Sequence, residues 1–515
     1  MERDRVEGGR TRSGGGAGRG PDGGRAEQSE AEHEGTEHGG TEHGGTEHGG
    51  AERPGTENGR PGTPAIPATL AAACGYWRRR GIHTEPSQVA VAPGVPLLLL
   101  AVLAAAGGVR GPAYALREPP PEGSAAEAVL LPRPAAPWHL AQARLSGRPV
   151  RTVPVPAECG GVPDPVALLE TVRRVRDDGE RPHALVLSLV DDCTGTAAPP
   201  ELVREVCQAA AGEGLLIVSD ETWRDTSHDP RDTVLVSPAE MVEGGPYADA
   251  VVVVAGVGGT LPPPVPQAGI ARFPGTPRGR AARRSVVRVL GALGARLPAA
   301  ADAGAADALA EPGPLRARRA AVARARGVLV TALYRAFTDA GALCRPPHAG
   351  RHLYADLEPV RDGLAARGVR DAAALEAELT RRLGPYVAGG HRFGDDYAAL
   401  RVRVSGELLA SGGPEIPGGF EESGGSGGAR ARRGRAREAA GGAAGAPGAR
   451  GAREVQEAQG AEGAAEYAAA GVPSLTPPDP LESPDVTRAL HRVRSELADL
   501  TASRSAGAPH ERAAP

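Results

Sequence analysis

Two acidic clusters stand where short apolar runs end. Residues 184–190, Ala-Leu-Val-Leu-Ser-Leu-Val, run into Asp191, Asp192, Cys193, Thr194 and Gly195. Residues 215–219, Leu-Leu-Ile-Val-Ser, run into Asp220, Glu221, Thr222 and Trp223. A carboxyl at the C-terminal end of a buried strand can hold a basic nitrogen, accept a proton or cap a turn. In open α/β sheets, ligands bind along that edge. Asp220, between aliphatic residues and Trp223, has the setting of a ligand-holding acid. Asp191 or Asp192 could equally cap a turn, and Glu221 reads as a solvated or capping side chain. Cys193 reads as a small buried residue.

The elements that position these acids follow from the spacing. Asp164 and Pro165 are an N-cap and a first-turn proline. Leu168, Leu169, Val172 and Val175 make an apolar stripe, and Gly179 stops the helix. Strand 184–190, helix 201–211 and strand 215–219 follow, then a third strand over 249–254. Continuous apolar strands alternating with amphipathic helices predict a parallel sheet covered on both faces. Upstream, the pattern predicts a helix over 68–80 and a strand over 89–91. Pro93 and Gly94 then open an apolar helix over 95–106, a turn whose free N–H groups could meet an anion. Strands are expected near 129–132 and 150–155. Downstream, a strand over 268–273 precedes helices over 276–296 and 314–340. Strand 352–357, helix 371–384 and strand 400–404 make a smaller α+β unit. A last helix carries Leu490, Val493, Leu497 and Leu500 on one face.

Composition bounds the rest. The chain has 515 residues and a formal net charge of −4, which gives no drive toward nucleic acid or an anionic membrane. All 59 basic residues are Arg, and there is no lysine. Five scattered cysteines form no CxxC pair, so neither a disulfide framework nor a metal site is expected. The apolar run 97–106 is too short to span a bilayer. No secretory pattern opens the chain, and a cytoplasmic location is the expectation. Residues 1–62 and 411–475 have the Gly-, Glu-, Arg- and Ala-rich composition of disordered segments. The first contains a Thr-Glu-His-Gly-Gly repeat bearing His33, His38, His43 and His48, either a weak chelating tract or a slipped repeat.

The order and spacing of these pieces resemble the class I/II aminotransferases, the fold-type I pyridoxal phosphate (PLP) enzymes. The resemblance covers about 66–410 and the last helix. It implies an α/β fold with a mostly parallel large domain over 63–312 and a smaller α+β C-terminal domain over 313–410. A disordered tail at 1–62, an insertion at 411–475 and a terminal helix and tail at 476–515 complete the expected organisation. It implies PLP as cofactor, an amino or keto acid as small-molecule substrate, and a homodimer or a heterodimer with an active relative.

The resemblance also assigns roles, and the chain departs from several. Asp220 matches the acid that holds the cofactor's pyridine nitrogen. Asp192 stands where the family has an Asn facing the cofactor's phenolic oxygen, and Trp223 where it has a Tyr. Gly94 opens the expected phosphate turn. Gly259 aligns with the lysine that carries the cofactor and moves the proton, and no lysine exists elsewhere to replace it. Gln267 stands where an Arg grips the phosphate. Ala136 falls where an aromatic stacks on the ring, with Trp138 two residues on. Arg401 matches the Arg that binds the substrate carboxylate, with Arg403 on the same strand face. His139, His228 and His391 are the histidines considered as substitute bases. These departures imply impaired transamination, or a non-catalytic protein retained as a structural or regulatory subunit. A Rossmann-type dehydrogenase is disfavoured, because Gly256-Val-Gly258-Gly259 lacks the G-x-G-x-x-G spacing.

Overall fold

In a computed structural model, the described residues are 67–106, 125–156, 159–231, 233–257, 267–410 and 479–502. Both segments expected to be disordered lie outside them, as does Gly259.

Strands β1 (Val89–Ala92), β2 (Glu127–Arg133), β3 (Val150–Pro154) and β4 (Arg181–Ser188) alternate with helices α1 (Ala68–Arg78), α2 (Val95–Ala106), α3 (Pro137–Leu145) and α4 (Pro165–Asp177). A short hairpin, β5 (Val190–Asp191) and β6 (Thr196–Ala197), follows. Helix α5 (Pro200–Gly212), β7 (Leu216–Asp220), α6 (Pro238–Met241), β8 (Val251–Gly256) and β9 (Gly269–Arg272) complete the larger sheet. Seven strands pair in the order β1-β9-β8-β7-β4-β2-β3. The pairings from β3 to β8 are parallel, whereas β9 runs antiparallel to both β8 and β1. The expected mostly parallel α/β fold is what forms.

Alternation along β4 explains why its run is continuously apolar. Ala184 and Val186 pack with α2 residues Leu98, Leu99 and Val102, while Leu185 and Leu187 pack with Leu168 of α4 and Val203 of α5. Both faces of the strand are therefore buried, the pattern of a helix-covered parallel sheet. Asp164 caps α4 as expected, accepting from Val166 N and Ala167 N through Oδ1.

Beyond the sheet come α7 (Pro277–Ala292), α8 (Ala299–Ala310) and the long α9 (Gly313–Asp339). Helix α8 had no signal in the sequence, because an Ala-rich run shows no apolar period. Its Asp302 satisfies the N-terminal N–H groups of Ala68 and Thr69 on α1, where the local cap, Pro67, offers no side-chain acceptor.

The second sheet joins β10 (Leu343–Cys344), β11 (His352–Asp356), β12 (Val387–Gly389) and β13 (Arg401–Ser405) in the antiparallel order β10-β11-β13-β12. Helices α10 (Arg361–Ala365) and α11 (Ala372–Leu383) connect its strands, and α12 (Glu407–Ala410) follows it. Val402 and Val404 face a core shared with α9, α11 and the last described helix, Pro484–Thr501. Arg401 and Arg403 therefore lie on the other face of β13.

Candidate functional site

The β5–β6 turn after β4 meets β11 and β13 of the smaller sheet, the end of β7 meets α3, and the acids there are not left open. Asp220 is buried at the end of β7. Its Oδ2 lies 2.9 Å from Nε2 of His139 on α3. Its Oδ1 accepts from the backbone N–H of Thr222 at 2.9 Å and from the Thr222 hydroxyl. Both oxygens thus have partners inside the chain. His139 is one of the three histidines that could approach the site only if the loops allowed it, and Trp138 stands against it with ring centroids 4.1 Å apart. His228 instead makes its ring contact to Gly350 O, and His391 lies 3.7 Å from Glu376. Ala136 is buried immediately before α3.

Asp191 and Asp192 divide the two roles open to them. Asp191 caps the turn, accepting from Cys193 N, Thr194 N and the Thr194 hydroxyl. Burial nevertheless pushes its carboxyl up to about 6. Asp192 points toward the smaller sheet. His352 Nδ1 donates to its Oδ1 at 3.0 Å and lies 2.8 Å from its main-chain oxygen. Arg403 Nη1 lies 3.6 Å from its Oδ2. Burial favours the neutral acid, but His352, Arg403 and Arg351 outweigh it and hold Asp192 well below the usual carboxyl range. His352 is pushed down by burial and by Arg403, which favours a neutral ring able to donate through Nδ1. Gly195 closes the turn at φ +69°, and a Cβ there would come 2.4 Å from His352 O. Only glycine permits that approach.

The two arginines of β13 are placed differently. Arg401, the expected carboxylate ligand, is partly exposed and already paired, with Nε 2.8 Å from Asp356 and Nη1 3.1 Å from Asp395. Asp395 also accepts from the Tyr354 hydroxyl at 2.8 Å. Arg403 is the buried one, facing Asp192, with its guanidinium 4.7 Å from the Phe393 ring centre. Trp223 is buried against Val190 and Ala349, with the Arg351 guanidinium 5.7 Å from its ring. Glu221, expected to be solvated, is instead buried, paired with Arg224 at 2.7 Å and accepting from the Ser237 hydroxyl. Sequence reading missed His352, whose 160-residue separation from Asp192 leaves no local signal.

The turn at Gly94 has another character. Pro93 and Pro96 carry no N–H, so they remove two donors from the start of α2. Gly269 of β9 packs directly on the turn. A Cβ at Gly269 would lie 2.6–2.8 Å from backbone atoms of Gly94 and Val95. A Cβ at Gly256 would lie 3.0 Å from Thr222 Cγ2 and 3.1 Å from Val95 Cγ2. Gln267 is exposed.

These residues answer whether PLP fits. The pyridine end does, since Asp220 is buried, acidic and braced by His139. The other end does not. The whole chain lacks a lysine to carry the cofactor. The described part of the Gly94 turn offers neither a hydroxyl nor a cation to a phosphate, and its backbone is covered by β9. As the sequence implies, PLP cannot be attached covalently through a lysine in this chain. Among the described residues, no His, Cys, Asp and Glu group could hold a metal.

A model of the family described as aminotransferase class I and II matches residues 61–261. A search of curated proteins gave no match. Among solved structures, a tetra mutant of Thermus thermophilus aspartate aminotransferase is similar at TM-score 0.52 and 20% identity, over 67% of this chain and 84% of that one. The aromatic aminotransferase of Pyrococcus horikoshii gives 0.53 and 17%, over 67% and 82%. A probable N-succinyldiaminopimelate aminotransferase of Thermus thermophilus gives 0.53 and 21%, over 67% and 82%. Among the described residues no helix is long and apolar enough to cross a membrane. By its matching segment the chain is similar to the class I and II aminotransferases, and it has the fold of their solved structures.

Proposed function

We propose that this protein is a catalytically silent member of its family, kept as a structural or regulatory subunit. It would act in the cytoplasm as a homodimer or paired with an active relative. The observation that carries this reading is the absence of any lysine in 515 residues. A side chain is needed to carry the cofactor and move the substrate proton, and no other amine replaces it. The self-satisfied charges at the site support the same conclusion. Asp220 is engaged by His139 and Thr222, Asp192 by His352 and Arg403, and Arg401 by Asp356 and Asp395. A ligand would have to break these pairs before making its own contacts.

One observation favours a different reading, in which PLP is held noncovalently and an amino or keto acid is still processed. It is the buried Asp220–His139 pair, which would suit a protonated pyridine nitrogen. The two readings part on one assay. The purified protein is mixed with PLP and an amino donor such as alanine, aspartate or glutamate, and pyridoxamine phosphate is measured by absorbance and chromatography. The expected result is conversion no faster than in a protein-free control. Donor-dependent conversion that scales with protein concentration would overturn the proposal.

A further inference from the structure

We propose that Arg326 of α9, with Arg351 beside it, binds a small tetrahedral oxyanion of the class of free phosphate or sulfate. Four segments close on one another at this point, and the site would stand whether or not the cofactor edge is silent. A Cβ at Gly327 of α9 would lie 2.7 Å from the His228 ring. His228 Nε2 lies 3.0 Å from Gly350 O, and Gly350 N donates to the Thr226 hydroxyl at 3.1 Å. Gly406 N, next to Glu407, donates to Arg351 O at 2.7 Å. The junction encloses more positive than negative charge. Arg326 is 7% exposed, and so is Arg351. Arg351 pairs with Glu407 at 2.6 Å. Asp192 also feels Arg351, but Arg403 and His352 are already set against it. Arg326 has no hydrogen bond or ion pair among the described residues. Burial and the charge of Arg351 push it down to about 10, and Glu407 offsets only part of this. Two more polar atoms, Arg351 Nε and Ser227 Oγ, are buried without a hydrogen bond among the described residues. An unbalanced buried guanidinium is costly, and orphaned buried donors are uncommon. One oxyanion would answer both needs. Its charge would balance Arg326, and its several oxygens could accept from both guanidinium groups and the Ser227 hydroxyl. Planar N–H forks suit such an ion better than a spherical halide. Glu407, one-third exposed at 33%, is the resident acid that an entering anion would repel.

The probe is inorganic phosphate, titrated calorimetrically into the full-length protein with PLP absent. Sulfate, glycerol 3-phosphate and chloride at matched ionic strength are the other arms. Phosphate and sulfate should bind saturably and one-to-one, with chloride at least about tenfold weaker. General stabilisation by these salts does not saturate and is common to all variants, so it does not imitate this result. Glycerol 3-phosphate should bind more weakly than phosphate, because Arg326 and Ser227 are both nearly enclosed. Tighter binding of the ester would overturn the assignment to a free ion. Arg326→Met should abolish phosphate binding, yet melt no lower than the wild type in chloride buffer, since it removes an unbalanced buried charge. An arginine with a purely structural role would lower the melting temperature instead. Glu407→Gln should tighten phosphate at least about threefold by removing the repelling charge. No saturable heat from phosphate in the wild type, or equal affinity in Arg326→Met, would overturn the proposal. If Arg326→Met does not fold, the wild-type titration and Glu407→Gln decide, and unchanged or weaker binding in Glu407→Gln would refute the site.

Discussion

The two ends of the ligand edge have been treated differently. At the β4–β7 end the polar groups remain, but each has a partner inside the chain. Asp220 is held by His139 and Thr222, and Asp192 by His352 and Arg403. At the α2–β9 end, among the described residues, backbone packs on backbone where Gly269 meets Gly94 and Val95. Thr222 links the two ends. Its N–H and hydroxyl hold Asp220, while its methyl lies where a Cβ on Gly256 would collide. Under the proposed silent reading, the difference separates two ways of losing a ligand. Charges can be neutralised in place at little cost to the fold, whereas an anion cradle is lost once its space is filled.

The sharpest way to break this contrast is at Gly269. If the α2–β9 end is close-packed backbone, Gly269→Ala should cost about 3 kcal/mol, since overpacking against main-chain atoms cannot be relieved by a side-chain rotation. Denaturant melts measure it, and an unchanged midpoint would mean that the end is an open cradle after all. At the other end, Asp220→Ala leaves the buried His139 ring and the Thr222 N–H without their acceptor, an expected loss of about 2 kcal/mol. A neutral result would show that the Asp220 pair is not closed within the chain.

The pH dependence tests the polar end without removing any packing. Burial raises Asp191 from 3.8 to about 6, so the folded chain binds this proton more tightly than the unfolded chain does. Its contribution is complete below the unfolded value and is lost as pH rises through about 6. Asp191→Asn should therefore flatten the fall in stability between those two values, read from melts across that range. An unaltered profile would place the titration elsewhere. Asp192 has the opposite sign. Its carboxyl is held down in the folded chain, so its contribution is present above the ordinary value of 3.8 and is lost below it. The smallest effect belongs to Arg401→Ala. This partly exposed arginine should cost about 0.5–1 kcal/mol, because water screens its pairs with Asp356 and Asp395. A loss as large as that of Asp220→Ala would show that Arg401 belongs to the closed site.

Much of this was legible in the sequence where the signal was local. The apolar runs ending in Asp192 and Asp220 located the ligand edge, because strand burial on both faces leaves a continuous hydrophobic record. The missing lysine needed no structure at all. Partners drawn from distant segments were not legible. A period of two puts Arg401 and Arg403 on one face but cannot say that Asp356 and Asp395 claim the first while Asp192 faces the second. His352 carried no motif, and its role follows only from the approach of β11 to the β5–β6 turn. Glu221 read as a surface acid because Arg224 and Ser237, which make its burial tolerable, lie outside any strand or helix period.

If both ends of the ligand edge are closed in these two ways, the edge no longer accepts the family's cofactor. Titration of the purified protein with PLP, followed by calorimetry and absorbance together, tests this most directly. The expected outcome is no saturable heat and a PLP spectrum identical to that in buffer. Saturable one-to-one binding with a shifted spectrum, lost in Asp220→Ala, would contradict it.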